Sequence, residues 1–189
     1  MNALLIIDPQ IDFLADTGRL PVGAAHAEQV IAVANRMAAL FAERGWPVIV
    51  ICNQFKKSDI IGNLFRRNAA LEGSEGGKID PRILAPDARC FSKAKSSAFT
   101  NPALPEYLKA HGVGNVVICG VYAEGCVRAT AFDALRAGLE TVVLADGVAS
   151  NRNAKYKWAL SHMGKRGIRI MPSAEYLETE INNLLEPNH

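Results

Sequence analysis

A carboxylate, an amine and a thiol each stand at or just after the end of a short run that reads as a strand. Asp8 ends the run Ala3 to Ile7, Lys93 follows the run Arg89 to Phe91, and Cys126 follows the run Asn115 to Cys119. Cys126 lies in Gly120-Val-Tyr-Ala-Glu-Gly-Cys-Val127, and a helix-like run continues from Arg128 to Ala137. A thiol at a helix start faces unpaired N–H groups and the positive end of the macrodipole. That setting is expected to lower its pKa and favour the nucleophilic thiolate. A nucleophilic cysteine also needs a base and a cation nearby. Asp8 can be the base, and Lys93 can hold the carboxylate and thiolate in place and polarise a substrate. His26, His111 and His162 lie in or beside helical runs and His189 is terminal, so a Cys-His pair is not the natural reading. Each residue also has a plainer reading: a turn carboxylate before Pro9, a solvated loop lysine like Lys95, a small residue packed at a helix start.

The elements that must position these groups alternate along the chain. Helical spacing from about His26 to Arg44 puts Val30, Val33, Met37, Leu40 and Phe41 on one face, with Gly45 fitting a C-cap and Pro47 just beyond. Val48 to Cys52 reads as a second strand, Pro102 to His111 as a helix, and Val116 to Cys119, Val127 to Ala137 and Thr141 to Ala145 as a strand-helix-strand unit. Ala154 to Met163 is expected to be helical, Ile168 to Met171 a last strand, and Ala174 to Leu185 a closing helix. Apolar strands separated by amphipathic helices imply a parallel sheet of about six strands covered on both faces. Right-handed crossovers make this a doubly wound α/β/α sandwich, with its site at the carboxyl ends of the strands. The stretch Asn53 to Pro86 is different: polar, glycine-rich around Gly73 to Gly77, without a clean period. A connection of that length is usually functional.

Composition narrows the class. The 189 residues suit a single domain, 1–189, with a full core, and 49% hydrophobic with 21% charged residues is an ordinary globular balance. A net charge of +2 gives no reason to expect a nucleic-acid or acidic-membrane partner. The four cysteines, Cys52, Cys90, Cys119 and Cys126, lack C-x-x-C spacing, so neither a zinc ribbon nor a thioredoxin-like motif is supported. The start, Met1 to Asp8, has no basic segment and meets a carboxylate early, so it does not read as a signal peptide, and a cytoplasmic setting is expected. The turn after the first strand, Asp8-Pro-Gln-Ile-Asp-Phe13, is not a glycine-rich dinucleotide loop, and no P-loop is present, so no cofactor is expected.

Three motifs in order resemble the isochorismatase-like cysteine hydrolases, a superfamily that includes nicotinamidase and N-carbamoylsarcosine amidohydrolase. They are Asp8-Pro-Gln-x-Asp-Phe13, Lys93-Ala-Lys-Ser-Ser-Ala-Phe99 and Gly120-Val-Tyr-Ala-Glu-Gly-Cys-Val127; Thr130-Ala131, Asp133-Ala134 and Asp146-Gly147 also resemble the family pattern. The resemblance covers nearly the whole chain. It implies Asp8 as general base, Lys93 rather than Lys95 as the triad lysine, and Cys126 as the nucleophile on an amide-type carbonyl. It further implies a thioester intermediate, a non-proline cis peptide at Val121–Tyr122, and an oxyanion hole from the N–H groups of Tyr122 and Cys126. Homo-oligomers are common in the family, so one is expected here.

Two departures narrow the reaction. Nicotinamidases carry an Asp-x-His metal motif after the second strand, where this chain has Cys52-Asn-Gln-Phe-Lys-Lys57 and no histidine from there until His111. No metal site is therefore expected, and nicotinamide becomes a poor candidate. True isochorismatases have glycine at the position of Cys126. A cysteine there argues for C–N bond cleavage in a small amide, ureido or carbamoyl compound, although vinyl ether hydrolysis, or a silent or redox-sensing protein of the same fold, stays open. Phe13, Asn53, Gln54, Phe55 and Tyr122 are the candidate substrate contacts. Arg66 or Arg67 could pair with a substrate carboxylate, and Gln10 and Asp12 read as supports or ordinary turn residues. Glu124 reads as a first-turn acid turned away from the thiol, because a carboxylate beside a thiolate would raise its pKa.

Overall fold

The computed structural model describes residues 1–185. Six parallel strands form one sheet in the order β3-β2-β1-β4-β5-β6. They are β1 (Asn2–Ile7), β2 (Val48–Asn53), β3 (Arg89–Lys93), β4 (Asn115–Val121), β5 (Glu140–Ala149) and β6 (Arg169–Met171). Seven α-helices are described: α1 (Ile11–Leu14), α2 (Ala24–Glu43), α3 (Ile60–Phe65), α4 (Ala103–Ala110), α5 (Arg128–Arg136), α6 (Asn153–Gly164) and α7 (Ser173–Leu185).

The central strands are apolar on both faces because both faces are covered. Leu5, Ile7, Ile49, Ile51, Val116, Ile118 and Val143 pack with Leu104 and Leu108 of α4, Ala131 and Ala134 of α5 and Met163 of α6. Their neighbours in sequence, Leu4, Ile6, Val50, Val117, Val142 and Leu144, turn the other way onto Val33, Met37 and Phe41 of α2 and Tyr176 of α7. Alternate residues of each strand thus feed opposite layers, which is the period-2 geometry of a strand. The long helix α2 stops at Arg44, and Gly45 follows with φ 63°, a left-handed conformation that suits glycine after a helix end.

The chain winds from β1 to β3 in one direction and from β4 to β6 in the other. The reversal falls between β1 and β4, which pair from Asn2↔Asn115 to Ile7↔Gly120. Ligand sites in such sheets lie outside the carboxyl ends of the strands at this reversal. Here the two strands approach closely: a Cβ at Gly120, whose φ is 118°, would run into the backbone of Ile7.

Three elements differ from the sequence expectation. β5 runs on to Ala149 rather than stopping at Ala145, because its register against β4 shifts between Ile118 and Gly120 and pairing then resumes at Gly120↔Val148. The turn after β1 contains α1. The Asn53–Pro86 connection contains α3, whose start is capped by the Asp59 side chain accepting from the Gly62 N–H at 3.1 Å, and a short 3₁₀ turn at Glu75–Gly77. No described helix is long and apolar enough to cross a membrane.

Candidate active site

Four adjacent strands each deliver one polar side chain to the same point. In sheet order they are Lys93 at the end of β3, Asn53 at the end of β2, Asp8 just after β1, and Cys126 in the turn after β4. Neighbouring strands lie about 4.8 Å apart, so β3 and β1 are about twice that. Only a long side chain on β3 reaches a carboxylate on β1, and lysine does. Its Nζ lies 3.0 Å from Asp8 Oδ2, 2.7 Å from Asn53 Oδ1 and 3.2 Å from Cys126 Sγ. Asn53 Nδ2 donates to Asp8 Oδ2 at 2.7 Å and lies 3.7 Å from Cys126 Sγ. The structure therefore brings Asp8, Lys93 and Cys126 together and places Asn53 among them. Asp8 itself sits at φ 52°, a backbone region that a residue with a side chain rarely adopts.

The charges are buried and mutually dependent. The Lys93 and Asp8 side chains are 0% and 1% exposed. Burial raises the Asp8 carboxyl above its ordinary 3.8, and the Lys93 ammonium only partly offsets it. Burial alone would push Lys93 down, but Asp8 and Cys126 outweigh it and leave the amine above 10.5. The Cys126 thiol is pushed up to about 12, first by burial and then by the Asp8 charge, with Lys93 and the Asn53 hydrogen bond pulling the other way. This corrects the expectation that the helix start would favour a resting thiolate. Loss of water around the half-buried Cys126 outweighs the helix start, so the thiol pKa is raised and its ionisation needs a base. Asp8 Oδ1 has no hydrogen-bond partner among the described residues.

The turn that carries Cys126 is a wide turn, Ala123–Val127, with non-helical dihedrals at Gly125 (φ −107°, ψ −105°), leading directly into α5. The peptide bond Val121–Tyr122 just before it is cis. Glu124 points to α6 and the end of β5: it accepts from the Ser150 hydroxyl and lies 3.4 Å from Lys155 Nζ. Phe13 is buried and meets the Tyr122 ring edge-on at 5.9 Å, while the Tyr122 hydroxyl donates to the Leu20 carbonyl.

The other expected contacts are dispersed. Gln54 lines a cavity of about 540 Å³ at the β2–β3 end, together with Cys52, Ser74, Cys90 and Ser92. Gln54 also lines one of about 360 Å³ that reaches Lys93, but Cys126 lines neither. Phe55 is held in the backbone of the connection by Ala70 and Glu72, and Arg66 stacks on its ring at 3.9 Å. Arg66 is also engaged by Asp59 and Asn63, and Arg67 is exposed with φ 53°. Neither arginine is hydrogen-bonded to Asp8, Lys93 or Cys126. The residue that sequence reasoning undervalued is Gln10, which is fully buried. Its side chain accepts from the Asn53 N–H at 2.8 Å and donates to the Asn53 carbonyl at 2.8 Å and the Gly77 carbonyl at 2.6 Å. Its place two residues after Asp8 was the available signal.

Comparison with known proteins places this arrangement. The isochorismatase domain model matches residues 2–175. The chain belongs to the isochorismatase family. Within it, this isochorismatase-family chain is 29% identical over 172 residues to an uncharacterized isochorismatase family protein PncA of Bacillus subtilis, covering 85% of this chain and 93% of that one. The solved pyrazinamidase of Pyrococcus horikoshii, in complex with zinc, superposes with a TM-score of 0.79 at 31% identity, over 90% of this chain and 98% of the other. The N-carbamoylsarcosine amidase of Thermoplasma acidophilum gives 0.78 at 25% identity, over 91% and 96%.

Proposed function

We propose that this isochorismatase-family chain is a cysteine hydrolase that cleaves a C–N bond in a small amide, ureido or carbamoyl compound. The observation that carries the reading is the buried contact of one ammonium with both a carboxylate and a thiol: Lys93 Nζ at 3.0 Å from Asp8 and 3.2 Å from Cys126. The amidase named among its structural relatives supports a hydrolase of non-peptide C–N bonds.

The reaction follows from the protonation states. The neutral thiol gives its proton to Asp8, whose Oδ1 is the carboxylate oxygen without a partner. Sγ then attacks the carbonyl carbon, and the oxygen takes the electron pair of the C=O bond. The backbone N–H groups of Tyr122 and Cys126 are assigned to that oxyanion, the position where preorganised donors contribute most. Collapse restores the carbonyl, breaks the C–N bond and passes the Asp8 proton to the leaving nitrogen, leaving a thioester on Cys126. Water, deprotonated by Asp8, attacks the thioester; the acid leaves and the proton returns to sulfur. Lys93 remains an ammonium throughout, balancing whichever of Asp8 or Cys126 carries the negative charge.

The reading includes no metal. A zinc site after β2 would need donors at Asn53 and Phe55. The Asn53 carboxamide is committed to Asp8 and Lys93, and Phe55 offers no donor beneath Arg66. Among the described residues no group of three or more His, Cys, Asp or Glu could hold an ion. The four cysteines are unbridged, which suits a reducing cytoplasm, and the reading includes a homo-oligomer, checked by light scattering. The function is tested by ammonia or amine release from a panel of small amides, ureides and carbamoyl compounds, with hydroxylamine added to intercept the acyl group. Hydroxamate formation that depends on Cys126 is expected. Turnover with no hydroxamate and no loss in Cys126→Ala would overturn the mechanism.

A further inference from the structure

We propose that Asn53 is a positioning residue for the proton transfer rather than a substrate contact: its carboxamide, on a backbone held by Gln10, leaves Asp8 Oδ1 as the oxygen that receives the thiol proton. This rests on the cysteine-hydrolase reading and names how its base is aimed.

The orientation of the carboxamide is set by chemistry. Lys93 can only donate, so the Asn53 oxygen must face it at 2.7 Å; a charged Asp8 can only accept, so the Asn53 NH₂ must face Oδ2 at 2.7 Å. One N–H of that NH₂ is used on Oδ2, and the other has Cys126 Sγ at 3.7 Å. Both donors to Asp8, the Lys93 ammonium and the Asn53 amide, converge on the same oxygen, Oδ2. A carboxylate oxygen with two strong donors is the weaker base, so proton transfer is directed to Oδ1. The Asn53 backbone is fixed because Gln10 pairs with both its main-chain N–H and its main-chain carbonyl, as a neighbouring strand would, and the carboxamide is then held by Asp8 and Lys93. The side chain is buried with a relative exposure of 2%, and its polar atoms are consumed by Asp8, Lys93 and Cys126. That leaves little of it for a substrate.

The test uses the full chain and two readouts. The first is the rate at which iodoacetamide alkylates Cys126 at fixed pH, followed on the Cys126 peptide by mass spectrometry, which needs no substrate. The second is kcat against KM on any compound turned over in the amide panel. Asn53→Leu removes the donor to sulfur, and Asn53→Asp adds a carboxylate beside it. Each is expected to slow alkylation about tenfold, one pH unit of thiol ionisation. Each is also expected to lower kcat by about a hundredfold with KM nearly unchanged. The part of the effect that runs through Asp8 is read by placing Asn53→Leu in an Asp8→Asn background, where it should change alkylation less than it does in the wild-type chain. Gln10→Ala, which loosens Asn53 without touching the triad, should slow alkylation in the same direction by a smaller factor. If Asn53→Leu does not fold, Asn53→Ser carries the same comparison. A raised KM with kcat and alkylation unchanged would make Asn53 a substrate contact and overturn the proposal. Slow alkylation in the Asn53 variants together with full turnover by Cys126→Ala would retain the coupling and discard the hydrolase reading, so the two failures are distinguishable.

Discussion

The carboxyl edge of the sheet and the Asn53–Pro86 connection invert each other. At the strand ends, Asp8, Asn53 and Lys93 are polar and almost fully buried. In the connection, α3 carries Ile60, Ile61, Leu64 and Phe65, all more than 70% exposed. Burying a charge is costly unless it is paired and hydrogen-bonded, and the strand ends meet that condition with three groups sharing one set of contacts. Exposing four large apolar side chains costs little in a folded monomer, but it gains nothing either. The strand ends therefore hold paired polar groups at the expense of desolvation, while the large apolar side chains of α3 contribute nothing to the core. The two regions are joined through Gln10, which ties Asn53 to the carbonyl of Gly77, and through Asp12, which accepts from the Ala70 N–H at 2.8 Å. Gln10 and Asp12 thus anchor the connection to the turn after β1.

The comparison is sharpened first at sulfur. Cys126→Ala should reduce turnover of an amide substrate by at least about 10³-fold while the protein melts near the wild-type temperature, measured by initial rates and calorimetry. Isochorismatase-type ether hydrolysis predicts survival of activity instead. Next is the ion pair. Lys93→Ala leaves Asp8 buried without its counter-charge, a loss of about 3–5 kcal/mol by denaturant titration. A cost below about 1 kcal/mol would mean that water enters the strand ends, and the inversion between the two regions would vanish. Gln10→Ala strips two hydrogen bonds from the buried backbone of Asn53, for about 2 kcal/mol and a melting point lower by about 4–8 °C.

The pH dependence has the same origin. The Cys126 thiol lies at about 12 in the folded chain against an ordinary 9.0. The folded state therefore binds more protons than the unfolded state above pH 9, and stability falls as pH rises through that window. Relative to Cys126→Ala, the wild-type chain should lose about 1 kcal/mol more between pH 9 and 10, by parallel denaturant titrations. On the acid side, the proposed mechanism needs Asp8 deprotonated. Because burial raises its pKa above 3.8, activity should fall away at a higher pH than an ordinary carboxylate would give.

Much of this site was legible because strand ends are legible. Apolar runs ending at Asp8 and Cys119, and a short strand near Phe91, mark a parallel sheet, and a parallel sheet has one functional edge. What spacing could not show was lateral order. That β2 lies between β1 and β3, and so sets Asn53 between Asp8 and Lys93, is a property of the topology. The raised thiol was missed for a related reason. A helix start is visible in sequence, but the burial that outweighs it is a tertiary effect. The α3 segment escaped because Ile60, Ile61, Leu64 and Phe65 do show helical spacing, yet that pattern normally announces a buried face, and the polar, glycine-rich surroundings argued for a loop.

The smallest expected effect is on that face. Phe65→Ser removes an aromatic ring that is 82% exposed and should change stability by no more than about 0.5 kcal/mol. Its ring-burying counterpart beside the strand ends, Phe13→Ser in α1, removes one that is 4% exposed and packed on Tyr122, and should cost several times more. The pair is measured side by side by denaturant titration at several protein concentrations. If Phe65→Ser proves as costly as Phe13→Ser, and the cost grows as the wild-type concentration rises, then α3 is buried in an assembly. The apparent waste of four apolar side chains would then be an interface, and the contrast between the two regions would be a contrast between intramolecular and intermolecular burial.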